Sequence, residues 1–289
     1  MPLGEGIPDV QDEPPLHPIY ISRVGVRNVR RRVTVERSQG KYHFDVTIDA
    51  FVDLPPNKRG VHMSRNIEAF IEAIDAVRTT PHPSVEELLD RVCDMLLAKH
   101  EYSTTVEVVA RTAYFYEVEF AGVPASEVAD VEIRAVKRRD GGSLYTIRVS
   151  VVGMTVCPCA QQVYSSLNGT EPSQTPSHTQ RARITLSVTV REGSVGIDEL
   201  VRVAREAFSA PSISLLKKLD EYRLIRHAFE NPRFVEDVAR AVLYNFCRTF
   251  SGKLPDDTEI EVEVRGRPKQ ARIVPTPFHP PQGQAHVAR

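Results

Sequence analysis

Cysteine is scarce in this chain: four residues in 289, too few and too scattered for a disulfide framework. Neither sign of charge prevails. The 37 Lys and Arg against 38 Asp and Glu leave a formal net charge of −1, which argues against a polybasic nucleic-acid binder. No apolar run approaches the roughly 20 residues a membrane-spanning helix needs, so no membrane partner is expected. The first residues, MPLGEGIPDVQDEPP, are acidic and proline-rich and lack the apolar stretch of a signal peptide. A cytoplasmic, reducing location is therefore expected. At 41% apolar and 26% charged, the chain has the composition of a soluble protein. Its length suits one large domain or two of about 120 to 140 residues.

Two of the four cysteines, Cys157 and Cys159, flank a proline in GMTVCPCAQQ. With Pro158 fixing the backbone between them, they are too close for a relaxed disulfide with each other. Structural zinc usually shows paired C-x2-4-C elements. Cys93 in LLDRVCDMLL and Cys247 in LYNFCRTF offer no such pair and read as small buried hydrophobes on helices. What is left is one thiolate, of Cys157 or Cys159, working with His or carboxylate ligands from elsewhere in the chain. That is the usual make-up of a catalytic metal centre with an open position.

Residues 1–20 read as an extended arm. KYHFDVTIDAFVDL alternates Phe44, Val46, Ile48, Ala50 and Val52 with polar neighbours, the period of a half-buried strand. NIEAFIEAIDAV follows as a helix, and Ser84 with Glu87 reads as a capping box opening a second one. Strands are expected at 103–120, 130–139 and 143–154, the last two joined by Asp140-Gly141-Gly142 as a hairpin. The order then repeats. RARITLSVTV is a strand, DELVRVAREAF a helix, Asn231-Pro232 an expected start for the helix RFVEDVARAVLYNF, and TEIEVEVRG a closing strand. The resulting architecture is α+β: two similar modules, 21–154 and 155–266, each an antiparallel sheet carrying a helix pair on one face. Residues 267–289 are rich in proline and glycine and read as a mobile tail.

His178 lies in the loop EPSQTPSHTQR, where no core would need an imidazole. If the strands ending at Met154 and starting at Arg181 are neighbours, that loop returns His178 to the strand end that carries Cys157. Glu236 points off the apolar stripe of Phe234, Val235, Val238, Val242 and Phe246, as a solvated helix carboxylate does. Lys58, Arg59, Arg65, Arg181 and Arg183 sit beside two H-x-x-R segments, His62–Arg65 and His178–Arg181. Such a group suits either a charged rim or a polyphosphate, since guanidinium forks match phosphate oxygens.

DLPPNKRGVHMSRNIEAF, VVGMTVCPCAQQ, SHTQRARITLSV, AREAFSAPSISLLKKLDEY and HAFENPRFVEDVARAV, in this order, resemble the GTP cyclohydrolases of the type IB and archaeal type IV family, from about Ile21 to Val264. The long Cys-to-His loop and SHTQR are more like the archaeal branch. The resemblance implies tandem tunnelling-fold modules, assembled as a homo-oligomer (dimer or tetramer) with active sites at subunit interfaces. It also implies an activity: metal-dependent hydrolytic opening of the GTP imidazole ring at C8. The product would be a dihydroneopterin triphosphate or cyclic phosphate, used in folate-type or tetrahydromethanopterin biosynthesis. Carried over by motif, Cys157, His178 and Glu221 match the metal site, with Cys159 as near neighbour of the catalytic thiol. Glu236 matches the glutamate that anchors the purine. His62, Arg65, Lys58, Arg59 and Arg181 are expected to contact substrate. Fe2+ is the expected ion, with Mn2+ or Zn2+ as alternatives.

The family usually carries a C-terminal E-S-I-H-x-H segment. After EVEVRG this chain continues RPKQARIVPTPFHPPQGQAHVAR, leaving only His279 and His286 there. Either His279 folds back as a substitute, or the later proton transfers are altered. A divergent enzyme that acts on GTP or a related purine nucleotide and stops at a ring-opened intermediate is therefore the alternative, as is service in specialised metabolism.

Overall fold

Turn chemistry fixes the strand connections. At Asp140–Gly142 the Arg138 N–H donates to the Gly142 carbonyl at 2.7 Å, and Gly141 takes a φ of 99° that side chains resist. At Ala121–Gly122 both central residues have positive φ, 53° and 82°, as tight two-residue hairpins require. The computed structural model describes residues 10–37, 40–79, 85–191, 195–255, 258–266 and 270–277. Among them run β1 (Ile21–Arg37), β2 (Gly40–Leu54), α1 (Met63–Thr79), α2 (Val85–Lys99), β3 (Thr105–Phe120), β4 (Val123–Arg138) and β5 (Ser143–Val156). Next come α3 (Pro158–Asn168), β6 (Thr179–Val190), α4 (Ile197–Arg205) and β7 (Ala210–Pro211). The order closes with α5 (Lys218–Glu230), α6 (Val235–Phe250), β8 (Glu259–Gly266) and β9 (Gln270–Pro277). The expected capping residue Ser84 lies outside the described residues.

The chain forms two compact units, and β3, β4 and β5 contribute to both. The first unit contains the described residues up to Thr112 together with Glu132–Tyr145. Its strand order is β1-β2-β3-β4-β5, with β1–β2 and β2–β3 antiparallel. Its core joins Ala50 and Val52 of β2, Val106 and Val108 of β3, and Leu88, Leu89, Val92, Cys93 and Leu96 of α2, all buried. Burial pushes the Cys93 thiol far up, which keeps it an inert apolar group. Arg139 donates to the carbonyls of Leu97, His100 and Ser103, satisfying the C-terminal end of α2.

The second unit contains Ala113–Val131 and the described residues from Thr146 onward. Its strand order is β3-β4-β5-β6-β8-β9, and β7 pairs with β5. The inward faces of β5 (Ile147, Val149, Val151), β6 (Ile184, Leu186, Val188) and β8 (Ile260, Val262, Val264) are buried. So is the stripe Val235, Val238, Ala239, Val242, Phe246 and Phe250 of α6, spaced as one helical face.

Two local expectations need correcting. The Asn231-Pro232 start predicted for the last helix is not where α6 begins. Asn231 instead ends α5, its side chain donating to the His227 carbonyl at 2.8 Å, and the Arg233 N–H is committed to the Val156 carbonyl at 3.0 Å. Helix geometry therefore starts at Val235, and Asp237 caps the Phe234 N–H at 3.1 Å. The second correction concerns the stretch read as the start of a tail: Gln270–Pro277 is strand β9, paired antiparallel with β8. Its prolines are tolerated because it ends the strand order. His279 and His286 lie outside the described residues. Among the described residues, no helix is long and apolar enough to cross a membrane.

Candidate active site

β5 and β6 are hydrogen-bonded neighbours, and that adjacency builds the core of the site. Cys157 follows the last residue of β5 and is the N-cap of α3, because Pro158 suits the first helical turn. Its N–H donates to the His178 carbonyl at 3.2 Å, and the Ser177 hydroxyl donates to the Cys157 carbonyl at 2.7 Å. Ser177 and His178, just before β6, are thus bonded to Cys157 through its carbonyl and its N–H respectively. Cys157 is half-buried, while Cys159, in the first turn of α3, and His178 are exposed. Gln180 Nε2 sits 3.3 Å from His178 Nδ1 and orients the ring. All four cysteines are free.

The floor under this pair is apolar. Val156 packs with Ala210 of β7 and with Leu224 and Ala228 of α5, backed by Met154, Phe120, Leu216 and Phe229. The buried Gln161 of α3 spans the gap by donating to the Phe229 carbonyl at 2.9 Å. α5 is thereby fixed beside the strand end that bears Cys157, and it carries Glu221 exposed in its first turn. The bond from the Arg233 N–H to Val156 ties down the segment leading into α6, whose first turn presents Glu236 to solvent. The Arg233 guanidinium donates to the carbonyls of Glu206 at 3.3 Å and Ala207 at 2.6 Å, closing the end of α4. Burial lowers its pKa.

The structure therefore places Cys157 and His178 in direct backbone contact and ties the segments carrying Glu221 and Glu236 to the same strand end. It does not complete a ligand shell: among the described residues, no three His, Cys, Asp or Glu side chains converge as a metal group. The donor types present, a thiol and an imidazole with a carboxylate on the adjacent helix, do suit Fe2+ or Zn2+. Arg181 is exposed on β6, and Arg183 pairs with Asp130 at 2.5 Å.

In the first unit, Lys58, Arg59, His62 and Arg65 fall between the end of β2 and the first turn of α1. Arg65 donates to the Lys99 carbonyl at 3.2 Å. Lys58 and Arg59 form ion pairs with Asp12 and Glu13, at 2.5 and 2.8 Å. Gln161, Ser177 and Arg233, which support the site, carry no sequence signal that would single them out. Each matters through hydrogen bonds to backbone groups distant in sequence.

The fold is similar to that of uricase from Arthrobacter globiformis, with a TM-score of 0.50 at 9% identity, covering 92% of this chain and 96% of that one. That likeness identifies an α+β tunnelling-fold protein. A sequence profile described as type I GTP cyclohydrolase folE2 matches residues 7–265. GTP cyclohydrolase MptA of Aeropyrum pernix is 42% identical over 257 residues, 89% of each chain. GTP cyclohydrolase MptA of Methanobrevibacter smithii is 34% identical over 276 residues, 88% of each. The chain belongs to the type I GTP cyclohydrolase folE2 family.

Proposed function

We propose that this protein is a GTP cyclohydrolase that hydrolytically opens the imidazole ring of GTP at C8 with the help of a divalent cation. The observation that supports this most is the backbone bond from Cys157 to His178, which brings a cysteine and a histidine together at one strand end in a chain of this family. Cys157 and His178, with Glu221 from α5, would hold Fe2+, or Mn2+ or Zn2+ in its place. The chemistry the ion supplies when bound is Lewis-acid activation of water at neutral pH.

The remaining work falls to side chains. Glu236, exposed on the first turn of α6, would accept two hydrogen bonds from the guanine edge and so orient C8. Lys58, Arg59, His62, Arg65 and Arg181 would neutralise and position the phosphates. Cys159, one residue beyond Pro158 in the first turn of α3, would act on the same reacting centre. A dihydroneopterin triphosphate or cyclic phosphate is the proposed product.

Two features support tandem modules and a homo-oligomer. The order strand-strand-helix-helix-strand-strand is met once from β1 to β4 and again from β5 to β9, with α3, β7 and one further helix added. α3 exposes Val163, Tyr164 and Leu167, and α5 exposes Leu219, Tyr222 and Ile225, apolar surface suited to a second copy. The altered segment after β8 favours one second reading, a reaction that stops at a ring-opened formamidopyrimidine. Mass analysis of the products from GTP distinguishes the two: a pterin supports full cyclohydrolase activity, a hydrated ring-opened nucleotide the shorter reaction, and unconsumed GTP contradicts both.

A further inference from the structure

The N-terminal segment is fastened over the basic loop of the first unit. The Gln11 carbonyl accepts from the N–H groups of both Arg59, at 3.1 Å, and Gly60, at 3.2 Å. On one side of this anchor the Asp12 carboxylate meets Lys58 Nζ at 2.5 Å, with His62 Nε2 4.0 Å away. On the other, the Glu13 carboxylate meets Arg59 at 2.8 Å. The fit is close enough that a Cβ on Gly60 would lie 3.3 Å from the Gln11 side chain.

Carboxylate oxygens and phosphate oxygens use the same donors on Lys and Arg. The hold on this segment is also light. The turn Val10–Asp12 buries no residue, Val10 is exposed, and both acidic side chains are about half exposed. Exposed ion pairs of this kind contribute little, and segments with so little burial open at low cost.

We propose that Gln11–Glu13 is an intramolecular competitor: Asp12 and Glu13 occupy Lys58 and Arg59 in place of a polyphosphate, and the incoming polyphosphate displaces the segment. This rests on the reading of the Lys58–Arg65 loop as the phosphate-binding group. The segment sets a threshold, because the loop's apparent affinity for anions is reduced by the fraction of molecules in which it is covered.

The test uses the full chain and inorganic tripolyphosphate, whose binding is independent of turnover. Each exposed pair is worth roughly two- to five-fold in an equilibrium constant, so D12N/E13Q is expected to bind tripolyphosphate about 4- to 25-fold more tightly than wild type, and K58Q/R59Q more weakly. Hydrogen exchange supplies the second readout: saturating tripolyphosphate should accelerate exchange at the amides of Arg59 and Gly60 in the wild type, as the Gln11 carbonyl leaves. If K58Q/R59Q binds as tightly as wild type, the phosphate-binding reading of the loop falls, and the competitor with it. If K58Q/R59Q weakens binding while D12N/E13Q leaves it unchanged, only the competitor is overturned. It is overturned equally if D12N/E13Q binds more tightly but those two amides stay protected, since the gain is then through-space charge without displacement.

Discussion

His100 should make the first unit sensitive to acid. It is fully buried, with Nε2 2.7 Å from Asn66 Oδ1 and Nδ1 3.0 Å from the Tyr102 hydroxyl. An imidazole bonded this way is neutral, donating to the amide oxygen and accepting from the phenol. Burial first, then the neighbouring Arg65, His62 and Lys99, lowers its pKa from 6.5 to about 4. A depressed folded-state pKa means that the unfolded chain binds the proton more readily. The stabilisation is therefore present in full above about 6.5 and is lost as pH falls through about 4. At roughly 1.4 kcal/mol per pH unit, the loss reaches about 3 kcal/mol near the folded-state pKa. The assay is urea unfolding of wild type and H100Q at several pH values between 7 and 4. Carboxylate protonation acts on both proteins, so the quantity that matters is their difference. Wild type should lose about 3 kcal/mol more than H100Q over this range. A difference in stability that stays constant with pH would refute the assignment of a neutral, desolvated imidazole.

Three further outcomes follow from packing and bonding in the second unit. Gly153→Ala would place a Cβ 2.2 Å from the Phe208 ring, so it should cost about 1–3 kcal/mol in urea unfolding; a variant as stable as wild type contradicts the close approach. Arg233→Met removes the two bonds to the end of α4 and should destabilise by about 1–3 kcal/mol, with faster amide exchange across 204–207; unchanged exchange there contradicts the capping role. Glu236→Gln should leave the unfolding midpoint of this exposed position unchanged while lowering kcat/KM for GTP by about 10²-fold or more; equal kcat/KM removes Glu236 from the guanine edge.

The strongest periodicities in the sequence correspond to the strands and helices that form. The alternation in β2 and β6 and the stripe of α6 match their buried faces because each packs one side on a core. β1 carries no strand period for a physical reason. Its register shifts twice, between Ile21 and Val24 and between Val26 and Val29, so its valines do not keep a period of two. α3 is hidden differently: its buried positions are the polar Gln161 and Ser165, while Val163, Tyr164 and Leu167 face solvent, which inverts the usual pattern. Asn231-Pro232 does not start α6 because Asn231 spends its capping chemistry on the helix before.

At the site, the approach of His178 to Cys157 was legible once β5 and β6 were taken as neighbours, since the intervening loop must return to the same sheet end. Nothing in the pattern of residues 10–13 announced that Asp12 and Glu13 would meet Lys58 and Arg59. Those contacts depend on where an arm without periodicity comes to rest.

The central claim is that Cys157 and His178 form the reactive centre for opening GTP. Anaerobic incubation of the full chain with Fe2+ and GTP, followed by mass analysis of the products, tests it most directly when wild type is run beside H178A and C157A. The account predicts GTP consumption and a ring-opened or pterin product for wild type, and loss of turnover in both variants with their folding intact. Undiminished turnover in either variant, or GTP left unconsumed by the wild type, would contradict it.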